Sequence, residues 1–139
     1  MDVDPAPRGA SFEQFRRVVE EDLDEQNHVN NVVYVRWVQE VATAHWQALA
    51  PPEVLAEFAW VARRHEIDYL AAAMLGDELS VQTHVGHAEG LLFERLTEII
   101  RVRDGKILAK SRTFWIPVDA RTGKVRRVSA AVRELASID

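Results

Sequence analysis

The chain has 139 residues, 47% of them apolar and 28% charged, the balance of one soluble domain with its own hydrophobic core. Seventeen Lys and Arg against 22 Asp and Glu leave a net charge of −5, which argues against a nucleic-acid partner. The absence of Cys excludes disulfides, a zinc–thiolate site and a cysteine nucleophile, and no apolar run approaches the roughly 18 residues of a membrane span.

Met1 to Ala10 carries charges and two prolines but no signal-like apolar segment. It is expected to be a flexible arm (1–10) ahead of a single cytoplasmic domain (11–139). Phe12 to Glu20 is compatible with a first strand, with Phe15 and Val19 facing inward. Asp22, Asp24, Glu25, Gln26, Asn27, His28, Asn30 and Asn31 then crowd into ten residues, directly before an apolar run. Asn27, Asn30 and Asn31 are all candidate helix caps, because their side chains can accept bonds from first-turn amides.

Asn31 to Leu49 is predicted to be helical despite its β-branched Val32, Val33, Val35, Val38 and Val41. The run has no Gly or Pro and exceeds a usual strand. Arg36, Glu40, Thr43 and Gln47 recur as one narrow polar stripe, and Pro51 and Pro52 stop the run. With its other faces almost wholly apolar, such a helix should be wrapped by other structure. His45 reads as a bonded core histidine.

Phe58 to Leu70 is expected as a long strand with Val61, Ile67 and Tyr69 on one face. Glu78 to Val85 alternates, with Leu79, Val81, Thr83 and Val85 on one side. Leu91 to Arg103 and Lys106 to Val118 are expected to pair through Asp104-Gly105, a two-residue hairpin signal requiring positive φ at both positions. Thr122-Gly123 marks a turn, and Ser129 to Ser137 a short capped helix. The order is strand, long helix, then four strands in a meander. The fold class is α+β, about five antiparallel strands around one helix, whose exposed edges favour a homodimer or homotetramer.

The pattern Asp24-x-x-x-His28-Val29-Asn30-Asn31-x-x-Tyr34 at a strand-to-helix junction resembles the hotdog-fold thioesterases of the 4-hydroxybenzoyl-CoA thioesterase type. Asp22-Leu23-Asp24 with His28-Val29-Asn30-Asn31 is also similar to plant acyl-ACP thioesterases. The likeness continues through Ile67-Asp68-Tyr69-Leu70, Leu75-Gly76-Asp77-Glu78-Leu79 and Asp104-Gly105, covering roughly residues 12–127. The resemblance implies a hotdog fold, a dimer as the minimal unit, and hydrolysis of an acyl thioester. Asp24 falls on the acidic residue that attacks the thioester or activates water, and His28 on the motif histidine. Gln26 stands where the plant enzymes place an asparagine, with Asn27 one position later. Their later glutamate maps to about Ala72, so the plant catalytic set is incomplete and the single-aspartate bacterial pattern is favoured.

A thioester needs little help: its carbonyl is electrophilic and its thiolate leaves readily. A carboxylate acting as nucleophile or general base, plus amides where oxyanion charge develops, would suffice. Asp24 is the candidate for the first role and the backbone of Asn31 to Val33 for the second. Gln26, Asn27, Asn30, Asn31 and Tyr34 are candidate substrate-binding residues, and His28 a positioning or catalytic one. Taken singly, Asp22, Asp24 and the asparagines are more often caps or turn formers. Asp22 reads as structural or solvated. Arg63, Arg64, Arg101, Arg103, Lys110 and Arg112 could meet the phosphates of coenzyme A. Trp37, Trp46 and Trp60 are most simply core or subunit-interface residues, and some could line an acyl pocket. The Asp22-x-Asp24-x-Gln26 spacing lacks the glycine and the bidentate glutamate of a calcium loop, and no metal or cofactor is expected. The expected substrate is an acyl-CoA, with acyl-ACP as neighbour. A non-catalytic acyl-thioester binder and a hotdog hydratase are the other classes.

Overall fold

A computed structural model describes residues 9–137 of the chain. Residues 1–8, most of the expected arm, lie outside the described residues. Gly9 donates to the Val85 carbonyl at 2.7 Å, and Ala10 to that of Ala136 at 2.8 Å.

The helix α1 spans Asn31–Leu49, the predicted bounds. Its N-cap is Asn30, whose Oδ1 accepts the Val32 amide at 3.0 Å and satisfies one donor that a helix start leaves unpaired. The proline pair ends α1 and also starts a second helix, α2 (Pro52–Glu57), which was not expected from periodicity. Proline suits a first helical position because its fixed φ is helical and its missing amide would be unpaired there.

Five strands form one antiparallel sheet: β1 (Ser11–Arg17), β2 (Phe58–Tyr69), β3 (Glu78–Glu89), β4 (Leu92–Arg101) and β5 (Lys106–Asp119). Their order is β1-β3-β4-β5-β2. The short helix α3 (Ala130–Leu135) follows, capped by Ser129 Oγ, which accepts the Val132 amide at 3.2 Å.

This topology corrects the four-strand meander. Only β3, β4 and β5 run consecutively, while β2 lies on the far edge beside β5. The segment 70–77 carries the chain across. It is pinned below the start of α1 by the Val29 amide on the Ala73 carbonyl (3.1 Å) and the Ala73 amide on the Tyr34 hydroxyl (3.0 Å).

Two facing assignments also change. On β1 the inward set is Phe12, Gln14 and Arg16, while Phe15 is 68% exposed and Val19 is exposed beyond the strand. Two contacts account for it: Phe12 stacks on His45, and Arg16 reaches Glu40 on the helix at 2.8 Å. An arginine pointing at a helix is invisible to hydrophobic alternation. On β2 the pairing with β5 slips between Ala62 and Arg64. The extra residue reverses the parity, so Val61 is exposed while Ile67 faces the helix side.

The β4–β5 connection is likewise not a two-residue turn. Arg101 pairs with Lys106, and among the four residues between them only Gly105 has positive φ, 71°. Asp104 instead receives two bonds from Arg101, at 3.0 and 2.7 Å, and one from the Lys106 amide.

The helix is covered on one side. Val33, Tyr34, Trp37, Val38 and Val41 pack with Leu79, Val81, Ile99 and Leu108 in one cluster. Ala42, Trp46 and Ala50 pack with Phe58, Phe93, Trp115, Val128 and Val132 in another. Each fully buried side chain of this size contributes about 1.5–3 kcal/mol. The opposite side, with Val32, Arg36, Gln39, Thr43 and Gln47, is exposed, so the all-round wrapping expected from composition is not reached within one chain. A single sheet of five strands curves around only one side of a helix. Among the described residues no helix is long and apolar enough to cross a membrane.

Gly86 sits in the irregular part of the β3–β4 pair, between Val85 and Ala88. A Cβ there would come within 2.8 Å of Leu96 Cδ1 and 2.9 Å of Glu94 Cδ. Glu94 is buried, accepts the His87 amide at 2.8 Å and pairs with Arg112 at 3.1 Å, so it has little room to yield. Gly86→Ala is expected to lower stability by about 1–3 kcal/mol, read as a shift of the urea midpoint.

Candidate active site

The polar stretch forms a closed loop between β1 and α1. Leu23 and Val29 pair across its base, and the Asp24 amide donates to the His28 carbonyl at 2.7 Å. Inside this closure Asn27 adopts a left-handed conformation (φ 62°), which asparagine tolerates better than most residues.

The two aspartates have opposite environments. Asp22 is buried: Oδ2 accepts the Val19 amide at 3.0 Å, Oδ1 meets Arg36 at 3.2 Å, and its carbonyl accepts the Asn30 amide at 2.9 Å. It thereby ties the end of β1, the loop and the first turns of α1 together. Asp24 is exposed, and its Oδ1 accepts the amides of Gln26 (2.8 Å) and His28 (3.2 Å). These two bonds fix the direction of the carboxyl group. Asp24 Oδ2 has no hydrogen-bond partner among the described residues and faces solvent.

Gln26, Asn27 and half-buried His28 share this loop with Asp24, and Asn30 and Asn31 stand at the helix start, so these residues are brought together. Asn30 is occupied as the cap. Asn31 offers its carbonyl to the Tyr69 hydroxyl at 3.2 Å. Tyr34 does not join the exposed group. It is 2% exposed, packs edge-on against Trp37 and Tyr69, and uses its hydroxyl to accept the Ala73 amide. Burial pushes its phenol above the ordinary value.

The expected oxyanion donors are partly committed. The Val32 and Val33 amides go to the side chain and carbonyl of Asn30 at 3.0 and 2.9 Å. The Asn31 amide has no acceptor among the described residues and lies at the positive end of α1.

Of the six cations considered for phosphate binding, Arg64, Arg101, Lys110 and Arg112 pair with Glu66, Asp104, Glu98 and Glu94. Arg63 and Arg103 are exposed and form no ion pair among the described residues.

A second feature lies at the other end of α1; its Trp46 and Trp60 are candidate pocket residues in the sequence, whereas its buried Arg95 is not. A cavity of about 380 Å³ is lined by side chains including Trp46, Leu55, Phe58, Trp60, Phe93 and Trp115, together with Arg95. Arg95 is 3% exposed and donates to His45 Nδ1 at 2.8 Å. A guanidinium has no acceptor atom, so Nδ1 must be unprotonated and His45 neutral. Burial, then the charge of Arg95, lower the His45 pKa to about 4. One arginine in an alternating strand carries no signal of burial, and nothing in its neighbours marks it.

Asp22→Ala is expected to cost about 1.5–3 kcal/mol in urea unfolding, because the Val19 amide and Arg36 lose their shared, buried acceptor. Asp24→Ala should cost under about 1 kcal/mol, since its loop amides can turn to water. For His45, the unfolded chain takes up a proton near pH 6.5 that the folded chain refuses until about pH 4. Stability should therefore fall as pH drops through this window, by up to about 3 kcal/mol. Urea midpoints at pH 7 and 5 should show the decline, and His45→Gln should flatten it.

Solved structures with this arrangement share the hotdog fold. The 1,4-dihydroxy-2-naphthoyl-CoA thioesterase from Synechocystis is 19% identical, with a TM-score of 0.78 over 91% of this chain and 96% of that one. A mutant 4-hydroxybenzoyl CoA thioesterase complexed with 4-hydroxybenzoyl CoA is 16% identical, with a TM-score of 0.81 over 91% and 99%. A Staphylococcus aureus protein in complex with CoA is 13% identical, with a TM-score of 0.78 over 95% and 85%. No curated protein matches the sequence. The family model of the thioesterase-like superfamily matches residues 18–135, from the end of β1 to α3. With the loop, α1 and four of the five strands inside that match, the chain belongs to the thioesterase-like superfamily.

Proposed function

We propose that the chain hydrolyses an acyl-CoA thioester, with Asp24 as nucleophile or as general base to water. One observation carries the reading: an exposed carboxylate, oriented by two loop amides, stands immediately before the N-terminus of the half-buried helix α1. One oxygen of Asp24 is committed to the loop and the other is directed to solvent, where a reacting carbonyl or water can approach. As charge develops on the carbonyl oxygen, the unpaired Asn31 amide and the helix end oppose it with positive potential. His28, Gln26 and Asn27 border the same space and would position the acyl carbonyl or the attacking water. CoA as carrier is supported by the CoA ester and the CoA held by two of the similar structures. Arg63 and Arg103, the two of those six cations that form no ion pair among the described residues, are the candidates for its phosphates. Such a substrate suits a cytoplasmic enzyme.

Self-association as a homodimer or homotetramer is part of the proposal. β2 is an edge strand with an open side, and Val61 on it and Val32 on the helix are 51% and 72% exposed.

Asp24→Asn keeps the size and can still accept the two loop amides while losing the charge. Thiol release from acyl-CoAs should fall by about 10²–10⁴-fold, with the circular dichroism spectrum and urea midpoint unchanged. Equal release by both proteins would move the chemistry away from Asp24.

A further inference from the structure

The cavity beside the C-terminal half of α1 holds a combination that the chemistry above does not use. Its walls are aromatic: Trp46 meets Trp60 edge-on at 5.2 Å, and Trp60 meets Phe93 at 4.8 Å. Into this apolar space the chain places the Arg95 guanidinium, which lies 5.7 Å from the Phe93 ring centre. Among the described residues Arg95 pairs with no carboxylate; its one hydrogen-bond partner is the neutral ring of His45. The neighbouring Glu94 points to the opposite face of the sheet, where it pairs with Arg112. A second donor belongs to the same wall: the buried Trp115 Nε1 has no acceptor among the described residues.

A buried charge is ordinarily paired, and a buried donor ordinarily bonded. Here a guanidinium with five donors, one of them on His45, and a buried indole N–H belong to the walls of one cavity. Burial lowers the Arg95 pKa only to about 10, so the charge is present at neutral pH. A carboxylate is the complementary group, because its two oxygens fit the fork of a guanidinium. The aromatic walls require an apolar body attached to it, and the volume falls in the range of small-molecule sites.

We infer that this cavity binds an organic carboxylate with an aliphatic or aromatic body, its carboxylate held by Arg95 with the Trp115 N–H as second donor. Along α1 the lining residues Ala42 to Gln47 lie roughly 17–24 Å from Asn31, at about 1.5 Å per residue. Within one chain the site is therefore separate from the Asp24 loop. Two sources share the required chemistry: a free carboxylic acid, and the distal carboxylate of an acyl group.

The test is titration of the full chain with octanoate, decanoate and 3-phenylpropanoate, each beside its matching primary alcohol. Binding is read by calorimetry and by the fluorescence of the lining tryptophans. The wild type should bind at least one acid about tenfold or more tightly than its alcohol. Arg95→Met should remove that preference, and Arg95→Lys should retain part of it. Should Arg95→Met fail to fold, Trp115→Phe removes the N–H together with part of the ring and should weaken acid binding more than alcohol binding. Equal affinity for acids and alcohols, no binding of either, or a preference that survives in Arg95→Met or is undiminished in Trp115→Phe would overturn the inference.

A second arm separates the two sources. Hydrolysis of the CoA monoester of octanedioic acid faster than that of octanoyl-CoA, with the advantage lost in Arg95→Met, identifies the distal end of a substrate. Acid binding without such an advantage identifies a free acid. The binding arm does not depend on thioester cleavage, so a failure of the hydrolytic reading would leave it intact.

Discussion

Everything in this molecule depends on burying one side of a nineteen-residue helix against a single curved sheet. Trp37, Val38, Val41 and Trp46 present a broad apolar face that water disfavours, and the inward residues of the strands cover it. The consequence is a helix with two unlike ends. At its start the chain must leave the sheet through a polar turn, and the helix amides there need acceptors. At its finish the covering side chains are large aromatics, and they enclose space as well as fill it.

The start of α1 shows how two aspartates two residues apart acquire different work. Asp22 is drawn inside by three ties, to the Val19 amide, the Arg36 guanidinium and, through its carbonyl, the Asn30 amide. A carboxylate so engaged is structural. Asp24 is turned outward and steadied on one oxygen only, which combines a fixed direction with an open face. The Asn30 cap contributes to this division by consuming the Val32 and Val33 amides and leaving that of Asn31. The loop thus gathers the groups a thioester would need, on a frame set by buried neighbours.

At the other end, polar atoms enter the core. Arg95 and His45 are mutually dependent, because the guanidinium can only donate and the ring must stay neutral to accept. Such a pair leaves positive charge facing an aromatic cavity, an arrangement that costs stability unless something negative shares the space.

The helix bounds, the number of strands and the alternation of β3 were legible in the sequence because they rest on local patterns. An uninterrupted run of nineteen residues between an asparagine cap and a proline pair permits little else. The loop residues from Asp24 to Asn31 were legible as a group because they adjoin in the chain. Strand order, by contrast, was decided by the crossover through Ala73, whose bonds to Val29 and Tyr34 join residues far apart in sequence. The facing of β1 was decided by Arg16 and Phe12 meeting the helix, and that of β2 by one bulged residue. The burial of Tyr34, the inward turn of Asp22 and the meeting of Arg95 with His45 are likewise products of packing. Local patterns record what a residue prefers, whereas burial and charge pairing depend on which distant residues arrive beside it, and only the folded chain brings those together.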